Sequence, residues 1–351
     1  MPARQRGLPA SGLGRRSGTP KKSHIPDDVV FRTKPQIALE LIDHALANGV
    51  RVQGWTFDEG YGRDTAFLDG LEQRGQVFVA EVPTSFHGWL KKPRVLRRCQ
   101  CRNRSRRRGR QRHYPRLAAR DRRCSEVQNL LRFSPVFRKQ KWQRYRIKDT
   151  QQGPEVWEVK WAKFWRKGGN GLPGRRHCLI VARNVLTNEV KYFVCNRVPG
   201  EPGISLRRLL RIAFGRWSVE ACFRQAKEEL GLDHYEVRGW RCLHRHFYLT
   251  QLTHLFCARM RQKFDGATMS DDPLEHLTTE QVRRAMSTWL EAAQGLLTKK
   301  TRFQRELAKQ QYYQRRNAQA QRSHAKTRHD QLRCLGIDAD RIKSCIPPPP
   351  T

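Results

Sequence analysis

The chain has 351 residues, and 70 Lys and Arg against 32 Asp and Glu give it a formal net charge of +38. This charge is far larger than solubility requires, so it predicts a polyanionic partner. We expect neither a membrane nor a secreted protein, since no apolar run approaches the roughly 20 residues that span a bilayer and the first residues lack the apolar core of a signal peptide.

The first predicted elements form an alternating helix and strand pattern. Residues 1–34 show no periodicity and are expected to form a disordered tail. Residues 35–48 predict a helix, and residues 50–57 predict a strand that ends at Asp58, beside a glycine-rich turn. The helix predicted over "DTAFLDGLEQRG" and the strand predicted over "QVFVAEVP" follow. Strand, helix and strand in succession predict a parallel α/β sheet.

An arginine-rich segment interrupts this pattern between residues 91 and 123 and contains Arg106, Arg107 and Arg108. Such a density of cations predicts a solvated loop. Two interpretations stay open for it, because the arginines suit phosphate groups but are equally compatible with a flexible basic insertion that has no partner.

Residues 127–198 predict mainly β structure, with strand-like runs separated by turn residues. The run "EVWEVKWAKFW" places Trp157 and Trp161 among lysines, so stacking on an unpaired nucleobase is one interpretation. However, Trp157, Val159 and Trp161 alternate and would share one strand face. We favour a buried core for these tryptophans and keep DNA contact as the alternative.

From residue 203 onwards the pattern is helical. The stretch "SLRRLLRIAFGRWSVEACFRQAKEELG" predicts one helix that ends at Gly231 and carries Arg216, Glu220 and Lys227 along one border of its apolar face. Two further helices and a basic helical stretch follow, and the final "IPPPPT" is expected to fray.

The cysteines and histidines do not predict a metal site. The ten cysteines show no zinc-binding spacing and indicate reduced thiols in a cytosolic protein. Cys242, His244 and His246 fit no standard zinc pattern and lie in a predicted helix.

Taken singly, the candidate site residues have ordinary explanations. Arg216 and Glu220 would form an exposed ion pair four residues apart, as many helices do. Asp58 would cap the turn that follows its strand.

The spacing Arg-x3-Glu-x6-Lys of Arg216, Glu220 and Lys227 resembles the C-terminal signature of the DDE transposases of bacterial insertion sequences. In the branch with a Tyr-Arg-Glu-Lys motif, a Tyr precedes the Arg by three positions, and here that position is Ala213. Further similar stretches are "FRTKPQIALELIDHALANGVRVQGWTFDEGYG", "CLIVARNV", "LGLDHYEVRGW" and "RRNAQAQRSHAKTR". The resemblance extends over about residues 25–346.

The resemblance implies an α/β, RNase H-like core in which carboxylates hold two Mg2+ or Mn2+ ions that clamp a scissile phosphate. It assigns Asp58 and Glu220 as catalytic metal ligands and places Arg216 and Lys227 on DNA phosphates. The implied partners are the terminal inverted repeats of the element and target DNA, in the bacterial cytoplasm near the nucleoid. Assembly into a homo-oligomer is left open.

The first aspartate that the resemblance requires has no match. Asp27 and Asp28 fall in a predicted loop and Asp43 in a predicted helix, whereas the family places this residue on the first strand of the sheet. We therefore expect an N-terminally truncated transposase with impaired activity. The alternative is a non-catalytic DNA-binding remnant that competes with intact transposase, while an RNA-binding protein would leave Asp58 and Glu220 unexplained.

The expected layout has five parts. They are a disordered basic tail (1–34), the first part of the core with Asp58 (35–85), the Arg-rich loop with a β-rich insertion (86–202), helices that complete the core and carry Glu220 (203–265), and a helical basic C-terminal region (266–351).

Overall fold

The computed structural model describes residues 23–96, 114–118, 123–236, 238–265, 278–293 and 300–346. The chain divides into two compact units. The sheet unit comprises Ala38–Arg216 and Arg328–Thr351, and the helical unit comprises Met1–Ile37 and Trp217–Thr327.

The described part of the chain is a mixed α/β protein. Its helices are α1 (Lys34–Ala47), α2 (Glu59–Gly62), α3 (Thr65–Gln73), α4 (Val127–Phe133), α5 (Pro135–Lys139), α6 (Leu206–Phe214), α7 (Trp217–Glu228), α8 (Trp240–Asp265), α9 (Thr279–Ala293) and α10 (Lys300–Cys334). Its strands are β1 (Trp55–Phe57), β2 (Phe78–Val82), β3 (His87–Trp89), β4 (Val95–Leu96), β5 (Arg116–Leu117), β6 (Ser125–Glu126), β7 (Gln143–Thr150), β8 (Gly153–Lys167), β9 (Pro173–Asn184), β10 (Val190–Cys195) and β11 (Lys343–Ser344).

The main sheet of the described residues has nine strands, with the path β1-β2-β10-β9-β8-β3-β6 and with β7 pairing both β8 and β11. Strands β1 and β2 are parallel, as the alternation of strand and helix predicted. Strand β10 runs antiparallel to both β2 and β9. The segment predicted as a β-rich insertion therefore shares one continuous sheet with β1 and β2.

Both faces of this sheet are covered by apolar side chains, which explains why β8 and β9 are long and largely buried. One face joins Trp157, Val159 and Ile180 to the apolar side of α6. Farther along the sheet, the opposite face joins Phe164 and Leu179 to α4 and α5. A third cluster packs α1 and α3 onto β1 and β2.

Local sequence explains the ends of α1. The Thr33 N–H donates to Gln36 Oε1 at 2.9 Å, and the Gln36 N–H lies 3.5 Å from Thr33 Oγ1, which is a capping box. At the other end Gly49 has a φ of +76° and the Val50 N–H donates to the Ala45 carbonyl, closing the last turn. This helix is confirmed.

The strand predicted over residues 50–57 is shorter than expected. Val50 and Val52 lie outside it and are 47% and 42% exposed, and only Trp55–Phe57 pairs with β2. The alternation of apolar residues was misleading here, because the chain has only just left α1 and has no neighbouring strand to pair with before Trp55.

The helix predicted over residues 205–231 is two helices. A turn at Gly215 and Arg216 separates α6 from α7, so the prediction that Arg216 lies on the same helix as Glu220 is wrong. Glycine at the end of α6 explains the break, since it is a poor helix former and a common helix terminator. The predicted end of the second helix is confirmed by Gly231, whose φ is +66° and whose N–H donates to the Lys227 carbonyl.

The helices predicted after Gly231 are confirmed as α8, α9 and α10. Within the helical unit, Arg283 of α9 pairs with Glu229 at 3.1 Å, and Cys222 Sγ of α7 lies 3.6 Å from His254 Nδ1 of α8. Among the described helices, none is long and apolar enough to cross a membrane.

Candidate active site

Asp58 lies at the carboxyl end of β1, where the sequence predicted it. Its backbone is extended, and its side chain accepts the Tyr61 N–H at 3.3 Å to cap the single turn of α2. The residue is exposed. Asp58 therefore acts as a turn cap, and its carboxylate also faces solvent at the end of a strand, a common position for a metal-binding carboxylate in an α/β sheet.

A second carboxylate, Glu81, lies on the neighbouring strand. Phe57 pairs with Ala80 in the parallel ladder. Asp58, the first residue after β1, and Glu81 of β2 each follow one member of this pair. Helix α2 lies close to this strand, so that a Cβ atom on Gly62 would be only 1.8 Å from the Glu81 carbonyl oxygen. Glu81 was not predicted from the sequence, since its position beside Asp58 depends on strand pairing.

Glu81 is surrounded by cations that come from distant parts of the chain. Lys191 Nζ donates to Glu81 Oε1 at 3.0 Å, and Arg216 Nη2 lies 3.8 Å from Glu81 Oε2. Burial lowers the pKa of Lys191, but its hydrogen bond and charge interaction with Glu81, together with Glu189, outweigh burial and raise that pKa overall. Glu81 therefore helps to fix the position of Arg216 at the end of α6.

Glu220 and Lys227 both lie on α7 in the helical unit, and both are exposed. The apolar face predicted for this helix is narrower than expected, since Val219 is 45% exposed while Ala226 is buried. The structure places Asp58 and Arg216 in the sheet unit and Glu220 and Lys227 in the helical unit.

A groove of about 550 Å3 is lined in part by Glu59 and Gly60, the two residues of α2 that follow Asp58 in the chain. Arg63 and Lys167 are the cations of its lining, which also includes His87. Cations beside an exposed carboxylate suit a phosphate backbone, because they can neutralise phosphates that the carboxylate alone would repel.

The tryptophans of β8 differ in burial. Trp157 is only 2% exposed, its ring centroid lies 4.9 Å from that of Phe214, and its indole N–H donates to Glu155. The core interpretation of Trp157 is confirmed, so its ring is not available to stack on a nucleobase in this structure. Trp161 is half-buried against the same cluster. By contrast, Trp165 lines a cavity of about 600 Å3 together with Lys92, Arg175, Arg176 and Arg197.

The remaining candidates are of two kinds. Arg106, Arg107 and Arg108 lie outside the described residues. Two histidines of α8 contact backbone oxygens: His244 Nδ1 lies 2.9 Å from the Trp240 carbonyl oxygen, and His246 Nε2 lies 3.0 Å from the Gly231 carbonyl oxygen.

Divalent metal ions would need several oxygen ligands in one place. Asp58 and Glu220 supply the hard oxygen donors that Mg2+ prefers, so the type of donor fits. Within the described ranges, however, no three His, Cys, Asp or Glu side chains are grouped so that they could hold a metal ion. The described residues therefore do not form a complete metal site by themselves.

The mixed α/β sheet carries a carboxylate at the end of a parallel strand, and a helical C-terminal region follows it. This arrangement fits an RNase H-like nuclease core. Residues 2–154 match the family model of a DDE superfamily endonuclease, which supports a DDE-type, transposase-like nuclease for this part of the chain. No curated protein matches the chain.

Proposed function

We propose that the chain is an insertion-sequence DDE transposase of the Tyr-Arg-Glu-Lys branch, which cuts and joins DNA strands at terminal inverted repeats with Mg2+ or Mn2+. The observation that carries this proposal is the match of residues 2–154 to a DDE superfamily endonuclease. The position of Asp58 directly after a strand supports it, as does a nearby groove whose lining includes Arg63 and Lys167. The protein would act in the bacterial cytoplasm, and its assembly state is left open.

The proposed roles follow from the chemistry of each side chain. Asp58 and Glu220 hold the metal ions, which, when bound, activate the attacking water or hydroxyl and stabilise the leaving oxygen. Arg216 and Lys227 bind DNA phosphates, with Arg216 positioned by Glu81. Arg106, Arg107 and Arg108 remain proposed phosphate contacts.

We further propose that cleavage by this chain is slow. The resemblance to DDE transposases assigns only two carboxylates, Asp58 and Glu220, as metal ligands. Two metal ions need more oxygen ligands than these supply, so metal binding should be weak. A slow enzyme that still binds DNA would compete with an active transposase for the ends of the element.

A non-catalytic DNA-binding protein is the second candidate, and the net charge of +38 supports it. Such a charge gives strong, salt-sensitive binding to DNA whether or not any strand is cut. The two candidates differ only in catalysis.

Nicking of supercoiled plasmid in Mg2+ or Mn2+ tests the proposal. The wild-type chain should nick slowly, and Asp58→Asn and Glu220→Gln should each reduce the rate by about 100-fold or more, because a lost metal ligand costs several kcal/mol of transition-state stabilisation. The matched control is Glu228→Gln on α7, which is exposed and should keep the wild-type rate.

Equal nicking by wild type and both variants would contradict the roles of the two carboxylates. If no form nicks the plasmid while all of them retain DNA binding, the non-catalytic candidate is correct.

A further inference from the structure

The longest helix of the described residues is also strongly basic. Helix α10 has 35 residues, of which ten are Lys or Arg and two are Asp or Glu. The resemblance to DDE transposases assigned no role to residues of this helix, and none of the proposed metal ligands or phosphate contacts lies on it. A helix of this length is about 52 Å long.

Between residues 311 and 327, burial along α10 is confined to a narrow stripe. Gln314, Ala318, Gln321 and Ala325 are half-buried, and they recur at spacings of four, three and four residues, so they share one side of the helix. This stripe consists of small and polar side chains. This part of the helix therefore lacks the apolar face that would bury it in a protein core or lay it on a membrane.

The cations of α10 lie on a different side. Between residues 305 and 326, six described cations are exposed, namely Arg305, Lys309, Arg315, Arg316, Arg322 and Lys326. At 100° per residue they fall within an arc of about 140° that does not overlap the half-buried stripe. The helix therefore presents a continuous cationic face, which we call the α10 basic face.

The dimensions of the α10 basic face match a DNA duplex. From Arg305 to Lys326 it extends about 32 Å, close to one helical turn of about 34 Å. The major groove of B-DNA admits an α-helix, and cations along such a helix reach the phosphates on both sides of the groove.

The C-terminal end of the helix is anchored. Leu332 is fully buried in a cluster with Val156, Ile337 and Ala339, and Arg328 donates to Gln152 Oε1 at 2.9 Å.

We propose that the α10 basic face binds the phosphate backbone of duplex DNA, with the helix lying in the major groove. This inference rests on the proposed function in one respect, since the proposed function identifies DNA as the polyanion that the chain binds. It adds a binding element outside the residues assigned to cleavage.

The test is a full-length variant with Arg315→Gln, Arg316→Gln, Arg322→Gln and Lys326→Gln. Glutamine keeps a high helix propensity, so the helix should persist, and circular dichroism checks this. The matched control replaces four exposed cations of the sheet unit by glutamine and loses the same charge, namely Arg132, Arg138, Lys139 and Lys141.

Fluorescence anisotropy with a labelled 20-base-pair duplex should be recorded from 50 to 300 mM KCl. Four lost phosphate contacts should reduce the slope of log K against log salt by about 3 to 4 and weaken binding at least about tenfold at 100 mM. The control should keep the wild-type slope. Duplex RNA should bind the wild-type chain more weakly, because its deep, narrow major groove does not admit a helix.

Equal losses in variant and control would overturn the proposal, since binding would then depend on total charge alone. Equal binding of duplex RNA and DNA would also overturn it. Failure of this inference can be distinguished from failure of the proposed function. If the wild-type chain never nicks plasmid DNA but the α10 variant binds DNA more weakly than wild type, this inference is supported and the proposed cleavage is contradicted. If the wild-type chain nicks DNA in the presence of metal but the α10 variant binds DNA as tightly as wild type, cleavage is supported and this inference is contradicted.

Discussion

At the scale of single residues, the most constrained charges lie in a buried network between α3 and the β8–β9 hairpin. Arg166 is fully buried, pairs with Asp69 and lies 3.6 Å from Glu72. His177 is also buried, with Nε2 2.7 Å from Glu72 Oε1 and Nδ1 2.8 Å from the Arg175 carbonyl. Both ring nitrogens of His177 therefore lie within hydrogen-bonding distance of an oxygen atom.

The ionisation of Glu72 follows from these contacts. Burial alone would raise the pKa of Glu72, but the hydrogen bond and charge of His177 and the charges of Arg166 and Arg175 outweigh burial, so the pKa lies below its ordinary value of 4.5. A carboxyl whose pKa is lowered by folding stabilises the fold above its unfolded pKa. That stabilisation is lost as the pH falls through the lowered pKa.

Glu72→Gln should therefore destabilise the fold in a pH-dependent way. At pH 7 the variant should be less stable by about 3 kcal/mol, because buried Arg166 loses one of the two carboxylates beside it and buried His177 loses the carboxylate that it contacts. The difference should narrow as the pH falls from 4.5 through the lowered pKa, because the unfolded wild-type chain binds a proton there before the folded chain does. Urea unfolding at pH 7 and pH 3.5 measures this, with exposed Glu59→Gln as the control. A constant difference at both pH values would show that Glu72 acts through packing alone.

At the scale of elements, the sequence predicted long and strongly periodic segments best. Strand β9 has an uninterrupted apolar run from Cys178 to Ala182, which fits a sheet whose two faces are both covered. The break between α6 and α7 was missed, because the apolar period continues through Gly215 and Arg216. Periodicity alone does not separate one long helix from two helices whose apolar faces are in phase.

The candidate site shows the same division between local and long-range information. The position of Asp58 was predictable, since a strand end and a turn are local features. The contacts of Glu81 with Lys191 and Arg216 were not, because they join residues 110 and 135 positions apart in the chain. Charged contacts at such separations require the strand order, which a single sequence does not supply.

The one-turn helix α2 depends on a close approach of two backbones. Gly62→Ala would place a Cβ atom 1.8 Å from the Glu81 carbonyl oxygen, so α2 or β2 must move. We expect a loss of about 2 kcal/mol or more in unfolding free energy, as for other overpacked cores. Gly169→Ala is the matched control, since its added Cβ would meet nothing within 4 Å. Thermal unfolding compares the two, and equal midpoints would show that α2 adjusts without cost.

At the scale of the whole molecule, the cysteines report on each unit separately. In the part of the chain that the structure describes, Cys178, Cys195 and Cys345 are buried in the sheet unit and Cys257 in the helical unit. Burial raises the pKa of Cys195 to about 12 and that of Cys345 to about 11, and it raises the pKa of Cys178 well above its ordinary value. Cys242 and Cys334 are exposed.

Alkylation at pH 8 should follow this distribution, because the thiolate is the reacting form and needs access to the reagent. Among the thiols of the described residues, iodoacetamide should modify Cys242 and Cys334 first, whereas Cys178, Cys195 and Cys345 should react only when the sheet unit unfolds. Peptide mapping across a urea series measures each rate. If the sheet unit unfolds as one body, its three buried thiols become reactive together, and Cys257 follows the helical unit at its own urea concentration. Rapid labelling of Cys178 or Cys195 without urea would contradict the continuous sheet that joins β2, β10 and β9.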